Sequence, residues 1–278
     1  MAAQWLNDVA IRHRIVALLD AHGRAVSLAT LGREVFGFRQ VPVAVLRELF
    51  HRLFPHDPHL ILRDDDMVEL RPDERALRPL EENEYVVVDV ETTGMRPSAD
   101  RVIEVAAVRL ARSDGRLRIV EEFATLVNPE RALPPGIVRL TGITDGMVAR
   151  APRFEEIAEE VAVVLGPRVL VAHNVRFDLA FLNAEFQRAF ARRLGNPHLC
   201  TLAVSRRLFP ELPNHRLPTV ARYLGVEMER WHRARTDAWA TAQLFLRLLD
   251  HLEERGVRTL SEIARLHTTR ARRRGSAR

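Results

Sequence analysis

The amino-acid sequence predicts a mixed-sheet α/β domain preceded by a small, mainly helical head. Three observations carry this prediction. Tyr85-Val86-Val87-Val88 is an unbroken apolar run ended by Asp89, as in a strand buried on both faces. Two further strand-like segments follow at 101–110 and 118–127, and after them strand and helix patterns alternate. Upstream, residues 1–70 place their apolar side chains at helical rather than strand spacing.

Taken in order, Ile11, Ile15, Leu18 and Leu19 fit i, i+4, i+7, i+8, and Leu28, Leu31 and Val35 fit i, i+3, i+7. A third helix is expected from Pro42, with Val43, Leu46, Phe50 and Leu53 on one face. Ser27 and Pro42 are start signals, and Gly23 and Gly37 stop signals. Leu60-Ile61-Leu62 and Met67-Val68-Glu69-Leu70 flank Asp64-Asp65-Asp66 and read as a hairpin. Three short helices and a hairpin over residues 1–70 resemble a winged helix-turn-helix. Residues 1–83, however, hold 11 arginines against 13 acids. Three aspartates at the wing tip repel phosphate, so contact with protein or a structural role fits as well as DNA reading. Residues 71–83, with two prolines and seven charges, read as a charged linker.

The α/β domain is expected over 84–252. Its second and third strands are joined by a turn at Ser113-Asp114-Gly115. Helix is expected at Phe154–Leu165, a short buried strand at Val169–Ala172, an amphipathic helix at 177–190 and a long last helix at 237–252. Residues 253–278 read as a short helix and a basic tail.

Composition bounds the function classes. Of 278 residues, 47% are hydrophobic and 28% charged, which excludes wholesale disorder. No apolar run approaches the roughly 18 residues of a membrane span, and the first residues lack the pattern of a secretory signal. Cys200 is the single cysteine, which excludes a disulfide framework or a multi-cysteine zinc site. The chain therefore reads as cytoplasmic, with no membrane partner. All 42 basic residues are arginine, and the net charge is +5. The last eleven residues hold five arginines and no acid, so the remainder is neutral and its charge does not mark a nucleic-acid surface. The tail reads either as an arm for phosphate backbone or as a plain disordered terminus.

Three segments carry chemistry. In Asp89-Val90-Glu91 the i, i+2 spacing sends both carboxylates to one side of a strand at its carboxyl end. Such paired oxygens suit Mg²⁺ or Mn²⁺. Thr92, Thr93 and Gly94 follow with hydroxyls, backbone N–H groups and a point of close approach. Asp178 lies in the first turn of a helix after the strand ending at Ala172, where it also complements the helix dipole. Asp237 opens the last long helix, with His232 five residues earlier as a general-base candidate.

VVVDVETTG at 86–94, AHNVRFD at 172–178 and HRARTD at 232–237 together resemble the three motifs of the DEDD superfamily of 3′–5′ exonucleases. His232 and Asp237 fit the HxxxxD pattern of the histidine branch, and Arg233 excludes the tyrosine branch. The resemblance is closest to the epsilon-type (DnaQ-like) proofreading exonucleases of bacterial replicative polymerases. Asn128-Pro129 and Leu140-Thr141-Gly142-Ile143-Thr144 are also similar to that family. The resemblance implies a ribonuclease-H-like fold, a five-stranded mixed sheet flanked by helices. It implies two divalent ions, Mg²⁺ or Mn²⁺, held by Asp89, Glu91, Asp178 and Asp237, with His232 deprotonating the attacking water. It also implies contacts to the terminal nucleotide from Thr92, Thr93, Gly94, Met95, Thr141, Gly142, Ile143, His173, Asn174 and Phe177. The expected activity is removal of 5′-mononucleotides from DNA 3′ ends, preferably single-stranded, in proofreading or repair. The N-terminal domain is the expected contact for a DNA polymerase or repair protein. An RNA-trimming exonuclease and a non-catalytic nucleic-acid adaptor are the competing readings. Against the adaptor, no acid of the set is missing.

Overall fold

The computed structural model describes residues 11–266, apart from 12–13, 16–17, 20–21, 23–24, 56, 58–59, 71–76, 228–231 and 265. The chain forms two compact units, Met1–Glu74 and Arg75–Arg278. Among the described residues no helix is long and apolar enough to cross a membrane.

In the first unit, α1 (Leu28–Glu34) starts where Ser27 predicts, its hydroxyl accepting the Thr30 N–H at 3.2 Å. Pro42 precedes α2 (Val43–Leu53), whose Leu46 and Phe50 are buried. The hairpin of β2 (Leu60–Leu62) and β3 (Met67–Leu70) is joined by β1 (Ala25–Ser27) in an antiparallel sheet of order β1-β3-β2. Ile15, Leu19, Val26, Leu31, Phe50 and Val68 form the core. Much of the first expected helix, and the stop signal at Gly23, lie outside the described residues. The acidic tip is partly neutralised within the unit: Arg47 pairs with Asp66 at 2.6 Å and Arg63 with Asp65 at 2.9 Å.

The second unit is built on a five-stranded mixed sheet, as expected. Its strands are β4 (Tyr85–Thr92), β5 (Val102–Ser113), β6 (Arg116–Leu126), β7 (Val169–Ala172) and β8 (His198–Cys200), in the order β6-β5-β4-β7-β8. The first three are antiparallel, and β7 and β8 run parallel to β4 and to each other. Asp114 and Gly115, at φ 51° and 78°, make the tight β5–β6 turn, a geometry that Asp-Gly favours. The helices are α3 (Pro135–Thr141), α4 (Asp145–Val148), α5 (Phe154–Leu165), α6 (Val175–Phe190), α7 (Thr201–Leu208), α8 (Leu217–Tyr223) and α9 (Ala234–Glu254).

Alternation along β4 sorts the core into two faces. Val86, Val88 and Val90 pack with Phe154 of α5 and Phe181 of α6. Tyr85 and Val87 pack with Phe245 and Leu248 of α9. Full burial of one such side chain is worth about 1.5–3 kcal/mol, so these two apolar layers, rather than the polar contacts of the sheet's open end, hold the domain together.

Segment 71–83 corrects the linker expectation at its far end. Leu80 is 5% exposed and starts a single 3₁₀ turn, Leu80–Glu82. Pro79 bridges to Thr259, the Leu80 N–H donates to the Arg258 carbonyl at 2.8 Å, and the Tyr85 hydroxyl donates to the Leu80 carbonyl at 2.6 Å. Proline and charge density signal exposure, but Leu80 docks the residues around it.

Candidate active site

Asp89 and Glu91 continue the row that Tyr85 and Val87 begin, so they lie on the face of β4 that packs on α9. Across the sheet Glu91 pairs in register with Glu104 of β5, and the register shifts just beyond, between Glu91 and Thr92. Asp178, in the first turn of α6 and 3% exposed, accepts the Val90 N–H at 3.2 Å, which ties it to the same strand. Asp237, in the first turn of α9, accepts the His232 N–H at 3.1 Å. Glu91, His232 and Asp237 offer ligand atoms that all lie within 4.8 Å of one another. Segments far apart in sequence thus meet at the carboxyl end of β4.

The electrostatics are those of a site short of positive charge. Burial first, then Asp178, Asp237, Glu91 and Glu104, hold the Asp89 carboxyl well above the ordinary range. Glu91 is pushed to about 8 by burial and by Asp237, Glu104 and Asp178, against a smaller opposing pull from Arg233. Burial raises Asp178 to about 7 despite its backbone hydrogen bonds. Burial also raises Asp237 to about 6, against the His232 N–H that it accepts. Carboxylates that mutually disfavour ionisation become tolerable as anions when a cation neutralises them. An all-oxygen donor set of this kind fits hard divalent ions.

The remaining expected site residues divide. The Thr92 hydroxyl donates to the Gly94 carbonyl at 2.6 Å, and the Thr93 hydroxyl accepts the Arg101 N–H at 3.0 Å, so both buried threonines shape the loop after β4. A methyl group on Gly94 would meet the Asp100 carboxylate at 2.5 Å, so the close approach there is made by the loop to itself. Met95 is 77% exposed. The Thr141 hydroxyl donates to the Ile137 carbonyl and accepts the Ile143 N–H, and Gly142 closes α3 at φ 72°. Ile143 is fully buried with Ile103, Leu133 and Val148 and presents no surface to a ligand, contrary to expectation. Its neighbours on an adjacent strand and helices, which no local pattern reveals, bury it.

His173 has both ring nitrogens engaged. Nε2–H donates to the His215 carbonyl at 2.8 Å, and Nδ1 faces the Thr201 hydroxyl at 3.0 Å. Burial pushes its pKa down to about 4, so its ring is neutral at neutral pH. Asn174 heads α6 in the left-handed conformation at φ 78°, and Phe177 is half-buried against Phe181 with ring centroids 4.9 Å apart.

Beside His232 and Asp237 opens a cleft of about 730 Å³, also lined by His173, Asn174, Leu202, Arg206, Asn214, His215, Arg216, Leu217 and Pro218. Sequence reasoning missed the stretch 202–218, which lies in short helices and loops. It missed Glu104 too, although an acid inside the apolar run Val102-Ile103-Glu104-Val105 is an anomaly that demands a partner.

The model of an exonuclease family, RNase_T, matches residues 86–245. The PolC-type DNA polymerase III of Oceanobacillus iheyensis is 41% identical over 256 residues, covering 92% of this chain and 16% of that protein. The chain thus spans under a fifth of that relative's length. Because that similarity covers 92% of the chain, it extends into the first unit. Among solved structures, exonuclease X in complex with 5′ overhanging duplex DNA aligns with a TM-score of 0.51 at 26% identity, covering 66% of this chain and 99% of that one. The zinc-ion-bound complex of Escherichia coli exonuclease I with single-stranded DNA aligns with a TM-score of 0.52 at 25% identity, covering 62% of this chain and 43% of that one.

Proposed function

The chain belongs to the RNase_T exonuclease family, and from that premise we propose that it is a divalent-metal-dependent 3′–5′ exonuclease that removes 5′-mononucleotides from DNA ends. The observation that carries this reading is the meeting of Glu91, His232 and Asp237, with Asp89 and Asp178 close enough that the carboxylates oppose one another's ionisation. Asp89, Glu91, Asp178 and Asp237 would hold two ions, Mg²⁺ or Mn²⁺. Ions bound there supply charge stabilisation for in-line displacement at phosphorus. His232, exposed beside Glu91 and Asp237, would take the proton from the attacking water as the new P–O bond forms and the bond to the 3′-oxygen breaks.

The cleft would receive the strand end. Leu202, Leu217 and Pro218 offer an apolar wall to sugar and base, and Arg206 and Arg216 offer guanidinium groups to phosphate. The DNA bound in the solved relatives supports single-stranded or recessed 3′ ends as substrates. Similarity to a PolC-type polymerase supports proofreading or repair in the cytoplasm. Residues 84–252 would then be the catalytic domain, and the winged-helix-like head the part that engages a polymerase or repair protein.

The test is digestion of 5′-labelled single strands, mismatched duplexes and RNA, with Mg²⁺ and Mn²⁺ compared. The expected result is stepwise shortening of DNA from its 3′ end with release of 5′-mononucleotides. His232→Ala should lower turnover by about 10²–10⁴-fold with binding largely kept. Preferred digestion of RNA would make the protein an exoribonuclease, and binding without hydrolysis would sink the enzymatic reading.

A further inference from the structure

We propose that Glu104 and Arg233 form a positioning clamp that fixes the loop from which His232 reaches the acidic cluster. The proposal rests on the reading of His232 as proton acceptor. Glu104 sits within β5 at 3% exposure, opposite Glu91. Two like charges facing each other across a sheet are unfavourable, so a buried acid at this position needs a compensating partner. Its partner comes from the residue next to His232. Arg233 Nη2 donates to Glu104 Oε1 at 2.8 Å, and Arg233 Nε donates to Oε2 at 3.1 Å, a bidentate fork. Oε2 also accepts the N–H of Ala234, the first residue of α9, at 2.9 Å. Both carboxylate oxygens of Glu104 are therefore committed to the His232 loop and to the start of the helix that carries Asp237.

His232 needs such support. It lies at φ 60°, in the left-handed region that a residue with a Cβ occupies only under strain. The loop is held on two sides, by the His232 N–H on Asp237 and by the fork from Arg233 to β5. The strand that carries Glu91 and the loop that carries His232 are thereby set relative to each other through Glu104. An imidazole free to drift by an ångström loses its line to the reacting water, a displacement worth up to about 10²-fold in rate.

The experiment is a double-mutant cycle in the 278-residue chain, read by kcat and KM on a single-stranded oligonucleotide. Its variants are Glu104→Gln, Arg233→Gln and each of these combined with His232→Ala. Mn²⁺ binding by calorimetry and thermal melting are measured alongside. The clamp predicts that each single variant loses about 10- to 100-fold in kcat with KM within about twofold and Mn²⁺ affinity unchanged. In the His232→Ala background the same changes should cost less than about threefold, because the group they position is already gone. Arg233→Gln leaves the Glu104 carboxylate without its charged partner, so the charge-free pair Glu104→Gln/Arg233→Gln decides the matter if either single variant does not fold. Equal losses in both backgrounds, unchanged kcat, or a loss traced to weakened Mn²⁺ binding would overturn the clamp while leaving the site reading intact. If wild type and His232→Ala hydrolyse DNA equally, the reading of His232 fails and the clamp fails with it.

Discussion

Replacing Asp178 by asparagine should abolish hydrolysis yet leave the metal-free protein at least as stable as the parent. The Asp178 carboxyl is 3% exposed, and it accepts the Val90 N–H at 3.2 Å. Asparagine keeps an acceptor for that N–H and removes the charge. Alanine removes both, leaving a buried N–H unpaired at a cost of about 1–3 kcal/mol. For a unit of this size each kcal/mol corresponds to roughly 2–4 °C in melting temperature, so Asp178→Ala should melt measurably below Asp178→Asn. The sign of the pH dependence separates the variants further. Burial raises the folded-state pKa of Asp178 to about 7 from an ordinary 3.8, so the folded form holds its proton where the unfolded chain has released it. The stability contributed by that proton is full below the ordinary value and is lost as pH rises through about 7. Asparagine suffers no such loss, so its advantage over the parent should widen between about pH 5 and pH 8. Melting in EDTA at both pH values, with nucleotide release measured in Mn²⁺, checks the whole chain of argument. Should Asp178→Asn melt as far below the parent at pH 8 as Asp178→Ala does, the buried charge is net favourable and the account of the cluster is wrong.

Two further outcomes follow from the same features. Asp89, Glu91, Asp178 and Asp237 are all raised, so metal-free melting temperature should fall steadily as pH climbs from about 5 to 8.5. Mg²⁺ or Mn²⁺ should restore most stability at the alkaline end, by about 2.7 kcal/mol at a hundredfold excess over Kd, and a flat metal-free profile would contradict this. Comparing fragments 84–252 and 75–266 by thermal melting, the shorter should be markedly less stable. It lacks Leu80, Val257 and Ile263, exposed by only 5%, 9% and 2%, each worth about 1.5–3 kcal/mol when buried. Matching melting temperatures would show that these docking contacts contribute little.

The parts of the fold legible in the sequence are those whose physics is local. Tyr85 to Val88 could only be a doubly buried strand, and the period of two then carried Asp89 and Glu91 to one face. Twelve residues of clean helical spacing gave Phe154–Leu165 its observed bounds. Where partners come from afar, local pattern fell short. The last helix begins at Ala234, three residues before Asp237, because Glu104 on a distant strand caps the Ala234 N–H. Helix α6 begins at Val175, two residues early, because Asn174 turns the chain in the left-handed region. Strands β1 and β8, of three residues each, and helices α3, α7 and α8, of seven to eight, are too short to display a period. The same limit hid the cleft, whose walls come from loops around Asn214–Pro218, and misassigned Ile143, whose burial is decided by Ile103, Leu133 and Val148.

The bridge of Pro79 to Thr259 brings the residues just before β4 beside those just after α9, with the Leu80 N–H and the Arg258 carbonyl only 2.8 Å apart. A segment bounded by Pro79 and Thr259 has its two ends side by side and is portable. Spliced into a surface turn of a larger protein, it would ask the host to part its backbone by little more than the width of a β-ladder, and the closure entropy charged to the host would be small because that penalty grows only logarithmically with inserted length. The host could fold around the insert, and the insert within the host, without either strand order being disturbed. The clasp therefore makes this nuclease fold as suited to life inside another polypeptide as to standing at the end of one.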